Sequence, residues 1–271
     1  MDQFSVIEKY YNDNVEAEWN RFERHPIEFE ITKRILSGNL PQPPARIIDI
    51  GGGPGRYSIW LAGQGYDVSL FDLAQANIDY AQKMANRANV RLREHITGNA
   101  LHLSQYVEND TYDCALLMGP LYHLIEEEDR ASVIRQTLAC LKQGGSLISS
   151  FISGYAPIID ILKNYPDKMN GNIQEYLAYL EDGRNIVSDD NPGFTTAYFM
   201  DPKKIDAFMN NFNITKKGLF TVESILGPYE NLLKSADTHT FDSCVELAMH
   251  FVEDPSCRAC GEHLLYIGIK K

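Results

Sequence analysis

No stretch of this chain approaches the roughly 20 consecutive apolar residues that a membrane span needs, and its start, Met-Asp-Gln-Phe-Ser, lacks the basic and apolar blocks of an export signal. The expectation is a cytoplasmic protein with no membrane partner. Lysine and arginine clusters are missing as well. The 25 basic residues face 37 acidic ones, for a net charge of −12, whereas a nucleic-acid reader carries a basic face that neutralises phosphates. This points to a small-molecule substrate and away from nucleic acid. Cysteine is scarce and odd in number: Cys114 and Cys140 lie in apolar runs, Cys244 in a helix-like stretch, and Cys257 and Cys260 form a single Cys-x-x-Cys. A structural zinc site needs a second ligand pair, so no metal is expected and the thiols are read as reduced. Oligomeric state leaves no trace in the sequence.

The 44% of residues that are hydrophobic suffice for a full core, and the length suits one α/β domain with an elaboration. The organising stretch runs from Arg46 to Ala62, Arg-Ile-Ile-Asp-Ile-Gly-Gly-Gly-Pro-Gly-Arg-Tyr-Ser-Ile-Trp-Leu-Ala. Ile47, Ile48 and Ile50 read as a buried parallel strand interrupted only by Asp49, because helices cover both faces of such sheets. Gly51, Gly53 and Gly55 then drop the Cβ at alternate positions, where the backbone turns sharply and a ligand comes close. A dinucleotide fingerprint also sets glycines between strand and helix, spaced Gly-x-Gly-x-x-Gly, but Arg56 stands at its last position.

The pattern present is Asp49-x-Gly51-x-Gly53-x-Gly55, and the next strand-like run, Asp67 to Phe71, is followed by Asp72. This resembles motif I and the following acidic residue of the class I S-adenosylmethionine-dependent methyltransferases. The resemblance implies a methyltransferase with S-adenosyl-L-methionine as cofactor, the three glycines under its methionine part and Asp72 on its ribose hydroxyls. It extends the cofactor contacts to Leu73, Asn99, Ala100, Met118 and Tyr11. Asn99 departs from the family, which usually has an acidic residue there to accept a hydrogen bond from the adenine amino group. An amide oxygen can accept the same bond without charge. The implied fold is α/β, a Rossmann-like seven-stranded sheet with helices on both faces.

Around this motif, Phe4, Ile7, Tyr11, Val15, Trp19 and Phe22 recur every three or four residues, the apolar face of one amphipathic helix of about six turns. A second helix carries Ile27, Ile31 and Ile35 and ends near Gly38. Later helices are expected at Tyr57 to Ala62, around Ile78 to Met84, at Arg130 to Leu141, Tyr229 to Lys234 and Phe241 to Val252. Strands are expected at Asp67 to Asp72, Leu92 to Thr97, Tyr112 to Met118, Ser146 to Phe151, Gly218 to Glu223 and His263 to Ile269. About sixty residues separate the fifth strand from the sixth, far more than an ordinary crossover. That interval reads as helices at Ile158 to Leu162 and Ile173 to Leu180, a polar loop at Asp182 to Gly193 and a short strand at Thr195 to Met200. A helix from an Asp201 N-cap through Phe212 follows. The domain reading is an N-terminal helical flap over residues 1–40, a core over 41–153 and 196–271, and a cap insertion over 154–195 between strands five and six.

Strand four lies centrally in such a fold, so the loop at its carboxyl end, Gly119-Pro120-Leu121-Tyr122-His123-Leu124, borders the cofactor crevice. Methyltransferases acting on base amino groups often carry Asp or Asn before Pro-Pro-Tyr or Phe at this place, and Gly119 lacks the group that would hold an exocyclic amine. The run Gly-Pro-Leu-Tyr-His-Leu instead resembles a bacterial group of small-molecule methyltransferases. The catalytic candidates are Tyr122, as a wall of the methyl pocket, and His123, whose ordinary pKa near 6.5 suits it to take a proton from a phenol, amine or thiol. The alternative roles are packing for Tyr122 and, for His123, capping the next helix or bonding a backbone carbonyl. Tyr10, Tyr11 and Trp19 can close over a cofactor or simply pack. Arg24, His25 and Glu28 read chiefly as surface and capping groups, and Glu126 to Asp129 as a solvated helix N-terminus. The expected activity is methyl transfer to an O, N or S nucleophile of a small molecule. An RNA methyltransferase, an NAD-type oxidoreductase and a non-catalytic cofactor-binding protein remain the alternatives.

Overall fold

The computed structural model describes residues 3–171, 173–187 and 195–271. Four helical segments open the chain: α1 (Gln3–Asp13), α2 (Val15–Trp19), α3 (Arg21–Arg24) and α4 (Pro26–Asn39). Strands and helices then alternate through β1 (Arg46–Ile50), α5 (Arg56–Gly63), β2 (Asp67–Asp72), α6 (Gln75–Arg87), β3 (Glu94–Thr97), β4 (Tyr112–Leu117), α7 (Glu127–Cys140) and β5 (Leu141–Ile152). An insertion follows, with α8 (Ala156–Asn164), α9 (Ile173–Glu181) and the antiparallel pair β6 (Arg184–Asn185) and β7 (Ala197–Tyr198). The chain ends with α10 (Ile205–Met209), β8 (Ile214–Thr221), α11 (Glu230–Leu233), α12 (Thr238–Met249) and β9 (His263–Lys270).

Seven strands form one sheet in the order β3-β2-β1-β4-β5-β9-β8. The first five are parallel and β9 runs antiparallel to both of its neighbours. Because side chains alternate along a pleated strand, the isoleucines of β1 divide between two cores: Ile47 faces one with Leu116, and Ile48 and Ile50 face the other with Ala115 and Leu117. Ile27, Ile31, Ile35 and Leu36 of α4 join the first core at no more than 2% exposure. Each such burial contributes about 1.5–3 kcal/mol, so α4 is bound to the sheet as one of its layers. The winding direction reverses between β1 and β4, and the crevice at their carboxyl ends is where open α/β sheets bind ligands.

Two expected helices differ most. The single long N-terminal helix is three segments, broken at Asn14 (φ −122°, ψ 22°) and Asn20 (φ −85°, ψ 2°). Asn14 Nδ2 donates to the Tyr10 carbonyl at 2.7 Å, and such side-chain bonds compete with the helical ladder. The breaks turn Ile7 and Phe22 inward, while Trp19 packs on Tyr80 and under the Arg56 guanidinium. The helix expected from Asp201 through Phe212 is confined to α10. Asp201 Oδ1 instead accepts from Lys203 N at 2.9 Å and closes a local turn.

The insertion leaves and returns at one point: Met200 N donates to Ile152 O at 2.8 Å and Gly154 N to Met200 O at 2.9 Å. The expected polar loop at Asp182 to Gly193 contains β6, and its part from 188 onward lies outside the described residues. Among the described residues no helix is long and apolar enough to cross a membrane.

Candidate active site

The chain between β1 and α5 is built as a cradle. Gly51 has φ +69°, and a Cβ on it would sit 2.5 Å from Pro120 Cδ. The glycine turn and the loop after β4 are thus packed backbone to ring. The contact runs both ways, since a Cβ on Gly119 would lie 2.4 Å from the Gly51 carbonyl oxygen. A side chain at position 119 has no room here, which gives a steric reason for the glycine that the sequence showed only as a missing amine-holding group. Asp72, at the end of β2, accepts from Gly53 N at 2.8 Å, Ala74 N at 2.9 Å and Asn77 Nδ2 at 2.9 Å. Burial raises its pKa, and these donors pull it back. Asp49 Oδ2 accepts from the Ser58 hydroxyl at 2.7 Å, and burial lifts this carboxyl to about 6.

One cavity of about 1050 Å³ of empty space, its mouth included, lies over this cradle. Gly51, Gly53, Asp72, Leu73, Asn99, Ala100, Met118, Tyr11, Tyr122 and His123 all line it. Gly55 does not: its φ of +82° starts α5, and it faces Ala81 and Leu70 behind the loop. Tyr10 and Trp19 are likewise off the wall. The Asn99 amide oxygen accepts from Leu101 N at 2.9 Å, so it caps the following turn with the atom expected to meet an adenine amino group.

Three distant parts of the chain meet at His123. Its Nδ1 lies 3.1 Å from the Thr196 carbonyl and its Nε2 lies 2.7 Å from the Tyr11 hydroxyl. A carbonyl only accepts, so Nδ1 carries the proton and Nε2 accepts from the phenol. Burial lowers the His123 pKa to about 4, and the ring is neutral near pH 7. Burial also raises the Tyr11 and Tyr122 phenols. Behind this loop Arg130 donates to the carbonyls of Leu124 and Ile125 at 2.5 and 2.8 Å and stacks 3.7 Å from the Tyr198 ring. The insertion therefore braces the loop through β7. Among its described residues none forms a wall of the cavity.

The sequence did not signal the charged wall from the N-terminal segments. Glu18 and Arg21 line the cavity. Arg21 Nη1 and Nη2 donate to the two oxygens of Glu28 at 2.7 and 2.5 Å. Burial opposes ionisation of Glu28, but Arg21 and His263 outweigh it and hold its pKa at about 2. Asn77 was also unmarked.

Residues 47–145 match the methyltransferase domain family, and this segment contains the cradle, Asp72 and the loop after β4. This segment is a methyltransferase domain, set in a sheet of the class I S-adenosylmethionine-dependent methyltransferase fold. Solved methyltransferases share its fold over most of the chain. An S-adenosylmethionine-dependent methyltransferase from Methanosarcina mazei is 18% identical, covers 87% of this chain and 96% of its own, and superposes with a TM-score of 0.58. Magnesium protoporphyrin IX methyltransferase from Synechocystis, solved with bound S-adenosylhomocysteine, is 14% identical over 100% of both chains with a TM-score of 0.59. A methyltransferase from Thermotoga maritima, described as a possible histamine N-methyltransferase, is 16% identical over 100% of both chains with a TM-score of 0.58. No curated protein matches the chain.

The residues present suit the cofactor of a methyltransferase domain. A Cβ at Gly53 would meet nothing nearer than Asn77 Nδ2 at 4.0 Å, so the backbone there is open to a ligand. Asn77 Oδ1 is buried in the same wall without a hydrogen-bond partner among the described residues. Together with the Asp72 carboxylate it supplies acceptors of the kind that ribose hydroxyls require.

Proposed function

We propose that the protein transfers a methyl group from S-adenosylmethionine to an O, N or S nucleophile of a small molecule. The observation that carries this reading is the enclosure of the cavity: Phe4, Ile7 and Tyr11 of α1 lie across the cradle, and the Tyr11 to His123 bond fastens them to the loop after β4. When bound, the cofactor supplies a methyl group already activated on a sulfonium. The chain's part is to orient the acceptor and exclude water. Asp72 and Asn77 receive the ribose, and the glycine cradle takes the methionine part. Met118 and Tyr122 wall the space beside it. His123 holds the Tyr11 hydroxyl, with its own second nitrogen tied to Thr196. The flap is α1 to α3, and the return of the insertion through Thr196 and Tyr198 supports the loop from outside. The bar to a side chain at position 119 and the net charge of −12 both disfavour a nucleic acid base as acceptor.

The test is calorimetric titration of the whole chain with S-adenosylhomocysteine and with NADH, followed by mass measurement of a metabolite panel incubated with S-adenosylmethionine. Binding of the first ligand alone, and a gain of one methyl on an acceptor, are the expected results. Tight NADH binding with no response to S-adenosylhomocysteine would overturn the reading, and submicromolar RNA binding with a steep salt dependence would move it to nucleic acid.

A further inference from the structure

Glu18 on α2 and Arg21 on α3 are three residues apart, opposite in charge and on the same cavity wall. Among the described residues no ion pair within 4.0 Å joins them. The reason is that Arg21 is committed to Glu28 through both terminal nitrogens. The Glu18 carboxylate is left on the wall with neither a hydrogen bond nor an ion pair among the described residues. Its surroundings are aromatic and carry both signs of charge. The phenols of Tyr11 and Tyr122 are close enough to feel its charge, and Arg21 and Arg24 favour the carboxylate more than Glu28 and Asp72 oppose it. Burial raises the Glu18 pKa, because the carboxylate has lost part of the water that would solvate its charge.

An ammonium ion satisfies this arrangement. It gives Glu18 a charge-assisted hydrogen bond. An anionic acceptor would meet the unpaired Glu18 carboxylate beside an Arg21 already held by Glu28. We propose that Glu18 is the receptor for an ammonium group, so that the acceptor class of this cavity is a primary or secondary amine, bound as its ammonium ion and passing one proton to the Glu18 carboxylate before its nitrogen lone pair takes the methyl group. The proposal rests on the methyltransferase reading of the site.

The test uses the whole chain saturated with S-adenosylhomocysteine at pH 7, with 2-phenylethylamine and its uncharged counterpart 2-phenylethanol as calorimetric probes. The wild-type protein should prefer the amine by about 10-fold or more, the low end for a hydrogen bond to a charged group. Glu18→Gln should bring the two probes within about 2-fold of each other, and Glu18→Asp should keep part of the preference. Glu18→Gln keeps the side chain's size and breaks no bond, so an unchanged thermal midpoint will establish that the fold is intact. The amino-acid end of the methyl donor carries the same ammonium chemistry. Comparing S-adenosylhomocysteine with 5′-methylthioadenosine, which lacks that end, separates the two sources. Loss of affinity for S-adenosylhomocysteine alone, with the amine preference intact, would assign Glu18 to the cofactor and overturn the amine proposal. So would a wild-type protein indifferent to amine over alcohol, or a Glu18→Gln variant that keeps the preference. Failure of the wild-type protein to bind S-adenosylhomocysteine would refute the methyltransferase reading, and the same amine titration on the ligand-free chain would then decide the role of Glu18.

Discussion

Replacing His263 by glutamine removes an imidazolium that sits beside the Arg21 and Glu28 pair. His263 Nδ1 lies 2.7 Å from Glu223 Oε1 and 4.0 Å from Glu28 Oε2, with the side chain 18% exposed. Burial works against the imidazolium, but the Glu28 and Glu223 carboxylates outweigh both that and the nearby Arg21 and raise its pKa from 6.5 to about 9. A folded pKa above the unfolded one means that the native state binds the extra proton. The stabilisation is therefore complete below about 6.5 and disappears as pH rises through about 9. At 1.36 kcal/mol per unit, the shift corresponds to about 3 kcal/mol. Lys163, raised from 10.5 by Glu262 and Glu230 against the cost of burial, loses its contribution only at higher pH. Urea unfolding of the wild type and of His263→Gln at pH 6, 7, 8 and 9.5 gives the comparison. The wild type should lose about 3 kcal/mol more than the variant across the series. Parallel curves for the two proteins would refute the assignment of this charge to His263.

Asp72→Ala should weaken S-adenosylhomocysteine binding by about 3 kcal/mol, since two hydrogen bonds to a charged acceptor are lost. A calorimetric change smaller than about fivefold would take the ribose role away from Asp72. Tyr11→Phe leaves His123 Nε2 without the phenol that now donates to it, a cost of about 1–3 kcal/mol. The amides of α1 should then exchange faster in deuterium exchange while those of β1 and β4 stay protected. Unchanged exchange in α1 would mean that ordinary packing, not this bond, holds the helix over the cavity.

Local chemistry made much of the core readable before any contact was known. The turn from Ile50 to Arg56 is specified by glycines within it, and β2 matched its expected span because Asp67 to Asp72 is an apolar run closed by a turn residue at each end. The breaks at Asn14 and Asn20 were also locally encoded, by residues that favour caps and turns, but the regular apolar stripe masked them. The glycine spacing suggested a ligand role for Gly55. Only packing showed that its missing side chain makes room for Ala81 instead.

By itself, the sequence determined the parallel sheet, the cradle and the presence of an acidic residue at the end of β2, because each follows from propensity and spacing over a few residues. Tertiary structure alone decided which groups face the cavity. Tyr11 meets His123 across 112 positions and His123 meets Thr196 across 73, and no periodicity connects residues so far apart. The same holds for Glu18 and Arg21. They stand three positions apart, yet Glu28 takes Arg21 because α4 is packed on the sheet and presents a buried carboxylate in the right place. Burial then set the charge states. Asp49 rises to about 6 and His123 falls to about 4, since a group's ionisation depends on the water it has lost, and that loss is a property of the folded chain.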